Sequence, residues 1–504
     1  MINKLVSETF KARQRVYSLS PATPLQQLDL QSNFRCFIKR EDLSPIHAYK
    51  WRGAHNLMSQ ISDCDRKRGV ITASAGNHAQ GVALSANKIG MQATVYMPIS
   101  TPQMKRESVK RLGGKNVNVV LFGNNYDEAL KESIRVSKKE NLFYIHAFDD
   151  LQVIAGQGTI ADEMILSGKG PFDIVFLQIG GGGLAAGVGS VLKHLNPDTY
   201  IVGVEGKGQD SMACAIQAGN PLELKYVDVF CDGTAVKKVG NLTYKICNEV
   251  VNEFMTVSNE EVSAAIELLW KTSRIIPEPS GAMGVAAILK RKSELAGKNV
   301  AAILCGANID FHQLGNISRV SGIGSATKRY FRFSIKESFG ELLRLIEDGL
   351  RGLNIVDLQY GKIDQKEALP IIGIEGTVKE IQDLPKKLKI CSISFSEVTS
   401  SPEVAFRVIP LRSRFISHAI FIELEFPERP GSLSDFLNSV QGTTNICYFN
   451  YHYTGEQVGR ALIGFEFESK VNQRAFVNKM DKGHWKNRDF RVLSDDARKR
   501  IIGG

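Results

Sequence analysis

Between about residue 70 and residue 310, short apolar runs alternate with stretches of helical period, and this alternation constrains the fold more than any other feature. The run GVITA at 69–73 leads into AGNHAQGVALSANKIG. MQATVYMP, NVNVVLFG, DIVFLQIGGGG, YIVGVEG and KNVAAILCGAN read as further strands, each followed by turn residues and then a helical period. A chain written this way is α/β, a parallel sheet with helices on both faces. In such sheets ligands sit beyond the carboxyl ends of the strands. The glycine-bearing segments 74–81, 180–183 and 305–308 all fall where a strand has just ended. They are the first places to look for a site.

The pattern changes near Ser321-Gly322-Ile323-Gly324-Ser325-Ala326, whose small residues read as a hinge. Beyond it the order is strand, helix, strand, strand, helix, strand. After a connector around 410–415 the same order begins again with AIFIELEFPERPG. This is an α+β unit in which a βαββαβ pattern is written twice, with little residue identity between the copies. The expected divisions are 1–322, 330–400 and 418–498. Three parts agree with a length of 504 residues, since a prior near 150 residues per domain suggests roughly three.

Composition narrows the class. At 43% hydrophobic and 23% charged the chain is globular rather than disordered or fibrous. No run of about 18 consecutive apolar residues occurs, so no membrane helix is expected. The N-terminal MINKLVSETF lacks a basic segment followed by an apolar one, so no signal peptide is expected either. The eight cysteines form no CxxC pair and no Cys/His ligand spacing, which argues against a metal site and for free thiols in a reducing cytoplasm. The net charge of +10 raises nucleic acid as a partner. The most basic segment, HWKNRDFRVLSDDARKR, is diluted by Asp489, Asp495 and Asp496, and reads as a solvated surface.

Four segments carry chemistry. Lys50 lies between Tyr49 and Trp51 at the start of a helix, where apolar walls and the positive helix end lower an ammonium pKa. A neutral amine is what imine formation needs, although the residue read alone is a snorkelling lysine. Ser74-Ala75-Gly76-Asn77-His78 follows a strand and opens a helix, which suits a carboxylate or phosphate, or simply an Asn-capped turn. Gly180, Gly181, Gly182 and Gly183, followed by Leu184, let a backbone wrap an anion. The same run satisfies GxGxxA at 181–186, with Glu205 where a ribose-binding acid belongs, so an NAD-dependent oxidoreductase is the rival reading. Cys305 at a strand end is either a nucleophile or a buried small residue.

Together KRED…HAYKWRGA, TASAGNHAQGVA, GGGGLAAG, DGTAV at 232–236, EPSGA at 278–282 and CGAN occur in an order that resembles the fold-type II pyridoxal-phosphate enzymes. The resemblance is closest to the biosynthetic threonine ammonia-lyases (threonine dehydratases) and covers nearly all of residues 20–320. FEFPERPGSL…NYHYTGEQVGRALIGFEF resembles that family's ACT-like regulatory region. Ala48 departs from the Ser of many members, and the first repeat is divergent.

The resemblance implies a tryptophan synthase β-like catalytic fold. Lys50 would hold pyridoxal 5'-phosphate as an imine and Asn77 would bond its ring hydroxyl. Gly180, Gly181, Gly182, Gly183 and Leu184 would cradle its phosphate, and Cys305 would face the pyridine nitrogen. The turn Ser74, Ala75, Gly76, Asn77 and His78 would receive the substrate carboxylate. Ala75 stands where related serine racemases carry a second serine. The implied reaction is elimination of L-threonine to 2-oxobutanoate and ammonia, the first step of isoleucine biosynthesis, with L-serine as a second substrate. Isoleucine as inhibitor, valine as activator and a homotetramer are implied on the same ground. The effector site is expected at 427–433, with Glu337-Ser338-Phe339-Gly340 in the equivalent place in the first repeat.

Overall fold

A computed structural model describes residues 1–427, 431–440, 444–456, 458–482 and 490–502. The chain divides into two compact units, Met1–Gly324 and Ser325–Gly504.

The first unit holds two sheets, as expected of a tryptophan synthase β-like fold. The larger has the order Leu25–Leu28, Arg35–Arg40, Asn299–Leu304, Ile174–Gln178, Tyr200–Gly206, Glu253–Val257. All neighbours are parallel except the first pair. The smaller is wholly parallel, in the order Val117–Leu121, Ala93–Met97, Val70–Ala73, Phe143–Tyr144. Continuous apolar strands reflect burial on both faces: every residue of Asn299–Leu304 and of Val70–Ala73 is buried. Ten consecutive residues of the helix Gly183–Leu195 are buried as well, and it packs on Leu151–Leu166.

The expected hinge at 321–326 is, over its first four residues, the end of the helix Phe311–Gly324. The small residues there serve contact instead. That helix packs on Asn259–Ser273, and the Gly324 backbone lies against the Glu260 carbonyl.

The second unit is one antiparallel sheet built from two βαββαβ copies. In the first copy the order is Ser394–Glu397, Lys328–Lys336, Ile371–Glu375, Asn354–Gly361, and a short strand Glu367–Ala368 also pairs with Lys328–Lys336. The second copy mirrors it with Asn445–His452, Val458–Glu466, Ile420–Pro427, Phe490–Val492. The copies join edge to edge where Asn354–Gly361 pairs with Asn445–His452. Their helices share one core with the sheet, in which Phe331, Ile372, Leu388, Phe436, Phe449 and Phe465 are buried. Among the described residues no helix is long and apolar enough to cross a membrane.

Candidate active site

Lys50 caps the helix Trp51–Met58. Its segment is pinned to the end of the strand Asn299–Leu304: the Tyr49 N–H donates to the Cys305 carbonyl at 3.2 Å, and Ala48 forms an isolated bridge with Gly306. Lys50 is not a snorkelling surface lysine. It is only partly exposed, and it borders a cavity of about 410 Å³ together with Asn77, residues 180–184, Glu278 and Cys305. Burial pushes its pKa below the ordinary lysine range, although Cys305 and Glu278 pull the other way.

The glycine turn follows the strand Ile174–Gln178 and feeds the helix Gly183–Leu195. Thr243 Oγ1 donates to the Gly181 carbonyl at 2.7 Å, and Cys247 Sγ donates to the Gly182 carbonyl at 3.6 Å. Because peptide units are planar and trans, the N–H groups of Gly182 and Gly183 point the opposite way. A Cβ on Gly181 would lie 2.3 Å from the Phe148 ring, and Gly182 has φ +94°, where a side chain is strained. The turn therefore presents bare backbone donors at a positive helix end, which is an anion cradle.

Cys305 is buried, and burial together with Glu278 raises its thiol well above the usual range. That removes the nucleophile reading, since a thiolate is disfavoured there. Asn77 begins the helix Asn77–Ile89, one residue after Gly76. Ser74, Ala75 and Gly76 form the adjoining turn, His78 is the helix's second residue, and none of the four borders the cavity. The His78 ring is buried, with Nε2 at 3.2 Å from the Ile145 carbonyl, and burial with nearby Lys50 pushes its pKa down to about 3. What His78 can offer a carboxylate is its backbone N–H.

Two glutamates read differently in three dimensions. Glu205 accepts from the N–H groups of Met212 and Ala213 at 2.8 and 2.9 Å, so it caps the helix Ser211–Ala218 from a buried position. The nicotinamide reading loses its ribose acid. Glu278 lines the cavity, and sequence reasoning assigned it no role. A glutamate before Pro279 at a helix start reads as an exposed cap, and nothing local signals its burial. Thr234, from the DGTAV segment, also lines the cavity, as do Gln178 and Phe148, which belong to no quoted motif.

Residues 16–306 match the family described as pyridoxal-phosphate dependent enzyme, and residues 412–497 match the C-terminal regulatory domain of threonine dehydratase. The biosynthetic L-threonine dehydratase of Haemophilus influenzae is 37% identical over 92% of this chain and 91% of its own length. The chain belongs to the pyridoxal-phosphate-dependent threonine dehydratase family. The chloroplastic biosynthetic threonine dehydratase of Arabidopsis thaliana is 33% identical over 96% of this chain and 81% of its own. Among solved structures, the processed threonine deaminase isoform 2 of Solanum lycopersicum matches 64% of this chain and 88% of its own, with TM-score 0.61 and 38% identity. Maize serine racemase matches 62% of this chain and 95% of its own, with TM-score 0.58 and 28% identity. These are the family's fold-type II structures. The cofactor of the family is pyridoxal 5'-phosphate, and the residues present fit it: a partly desolvated lysine amine, a side-chain-free anion cradle and a neutral thiol border one cavity.

Proposed function

We propose that this protein is a threonine ammonia-lyase converting L-threonine to 2-oxobutanoate and ammonia, with L-serine as a second substrate. The observation that carries the reading is the convergence of Lys50, Asn77, residues 180–184 and Cys305 on one cavity. Lys50 would hold the cofactor, the glycine turn and Leu184 would hold its phosphate, Asn77 would meet its ring oxygen and Cys305 its ring nitrogen. The cofactor supplies an electron sink for the substrate Cα. Once released from the cofactor by the incoming substrate amine, Lys50, whose pKa burial lowers, would take the Cα proton as a neutral amine. The Ser74–His78 turn orients the substrate carboxylate with its backbone donors. Ala75 offers a methyl beside that turn and cannot exchange a proton, which disfavours racemisation. A neutral Cys305 cannot stabilise a protonated ring nitrogen as an aspartate would, which favours prompt loss of the β-hydroxyl. Threonine and serine differ by one methyl, worth about 1–3 kcal/mol in a pocket.

The second unit senses isoleucine and valine in a homotetramer, within a reducing cytoplasm. A cavity of about 560 Å³ in that unit supports sensing. Apolar side chains including Leu343, Leu437, Val440 and Ile446 line it beside Glu337 of the segment 337–340. The Glu337 carboxylate accepts from Tyr360 Oη and, at 2.9 Å, from Asn445 Nδ2. An apolar amino acid matches this lining, with its ammonium toward Glu337. Of the second expected effector segment, residues 428–430 lie outside the described residues.

The test is spectroscopic and chemical. Purified protein should be yellow, borohydride should fix the cofactor to Lys50, and threonine should yield 2-oxobutanoate. A colourless protein that releases no pyridoxal phosphate on denaturation would end this reading.

A further inference from the structure

We propose that Glu278 and Asn308 are positioning residues that lock the Asn77 carboxamide with one Nδ2 hydrogen free to meet the cofactor's ring oxygen. The proposal rests on assigning the Lys50 cavity to the cofactor. Asn77 Nδ2 donates to Glu278 Oε1 at 2.8 Å, and Asn77 Oδ1 accepts from Asn308 Nδ2 at 2.7 Å. Asn308 cannot turn over, because its Nδ2 also donates to the Ile46 carbonyl at 2.8 Å and a carbonyl only accepts. The Asn308 backbone N–H donates to Glu278 Oε2 at 3.2 Å, which closes the ring of contacts. A flipped Asn77 would set nitrogen against nitrogen at Asn308 and oxygen against carboxylate at Glu278. Each partner thus dictates the same orientation. With one hydrogen spent on Glu278, Asn77 keeps one donor, and it borders the cavity beside Lys50. Glu278 itself has little freedom, since a Cβ on Gly306 would lie 2.5 Å from its Oε1.

Ionisation tightens this lock. Both oxygens of Glu278 face donors, so the carboxylate is the form the geometry prefers, while burial opposes its charge. Burial and Asp232 raise its pKa to about 7, against Asn77, Lys105 and the Asn308 N–H, which lower it. The other titratable groups facing it are Lys50, Tyr49, Cys305 and Cys231. Lys105 and Asp232 are paired with each other at 2.5 Å. The lock should therefore hold above neutral pH and loosen below it.

The experiment is a double-mutant cycle on the holoenzyme, read by the affinity for pyridoxal phosphate and by visible absorption between pH 6 and 8.5, without substrate. Glu278→Gln should weaken cofactor binding about 5- to 100-fold, the range for an unsatisfied buried hydrogen-bonding group. In an Asn77→Ala background the same change should cost less than about twofold, because the partner it acts through is gone. Wild-type affinity should fall as the pH drops through 7, and that of Glu278→Gln should stay flat. Asn308→Ala enters the same cycle if Glu278→Gln does not fold. Unchanged affinity, or an equal loss in both backgrounds, would overturn the positioning role while leaving the cofactor assignment intact. A wild-type protein with no visible band would overturn both.

Discussion

Replacing Arg52 by Met should destabilise the catalytic unit by about 3–5 kcal/mol, the cost of stranding one buried charge. Arg52 is the second residue of the helix that Lys50 caps, and four ionic groups meet there, each with a side chain no more than 3% exposed. The guanidinium forks onto two carboxylates. Nε and Nη2 reach Glu41 at 2.8 and 2.9 Å, while Nη1 and Nη2 reach Glu163 at 2.5 and 3.0 Å. Lys39 Nζ donates to Glu163 at 2.5 Å and to the Thr23 carbonyl at 2.5 Å. Two cations balance two anions. Burial pushes the Glu41 pKa up, yet Arg52 and Lys39 outweigh it and hold it below the ordinary range. Without Arg52 two carboxylates share one lysine, and one negative charge has no partner. For the unit Met1–Gly324 the loss should lower the melting midpoint by about 4–7 °C in differential scanning calorimetry. The double variant Arg52→Met/Glu163→Met restores balance through Lys39 and Glu41, and should recover at least about 1 kcal/mol of the single variant's loss. Arg52→Lys keeps the charge but loses the fork, and should fall between wild type and Met. A single-variant shift below about 2 °C, or a double variant as unstable as the sum of two singles, would refute the charge-balance reasoning.

Gly181→Ala should retain at least about tenfold less pyridoxal phosphate per chain after dialysis, since its methyl meets the Phe148 ring; adding Phe148→Ala should restore part of the binding. Glu278 and Glu205, with pKa values raised to about 7 and about 8 from 4.5, ionise later in the native state than in the unfolded chain. Their contribution is full below pH 4.5 and is lost as the pH rises through 7 and 8, so urea midpoints of the apoprotein should fall across that window. Glu278→Gln should remove its share of that slope, about 3 kcal/mol at about 1.4 kcal/mol per unit; an unchanged slope would contradict its burial. Glu337→Gln should weaken isoleucine binding about tenfold in calorimetric titration, as for a lost charge-assisted contact, with kcat at saturating threonine unchanged.

The sites legible in the sequence were those written by contiguous residues. A glycine run after an apolar strand can only be a tight turn at a strand's carboxyl end, and residues 180–183 lie there. The βαββαβ order was likewise readable, because one-sided burial forces period-2 and period-3.6 patterns onto neighbouring segments. Partners brought together over long separations were not legible. Glu278 meets Asn77 across 201 residues, and its burial comes from elements no local window contains. Lys50 alone could not be told from a surface lysine until the strand Asn299–Leu304 was seen to fix its segment. Which of the two sheets each strand joins was not legible for a related reason: parallel strands buried on both faces look alike in whichever sheet they sit. Ser321 to Gly324 misled because small residues serve both bending and close helix contact, and composition does not separate the two.

Joining two βαββαβ copies in one polypeptide has a consequence for what a pocket at their meeting can become. Two identical chains paired about a twofold axis must repeat every contact, so each pocket would carry the same residues on both walls. Covalent duplication removes that obligation. The first copy supplies Glu337, Tyr360, Leu342 and Leu343, the second supplies Leu437, Val440, Asn445 and Ile446, and each wall is free to change without its mirror image changing too. Such a tandem can therefore place one carboxylate, Glu337, on a single side of the pocket for an asymmetric guest, an outcome closed to a symmetric pair.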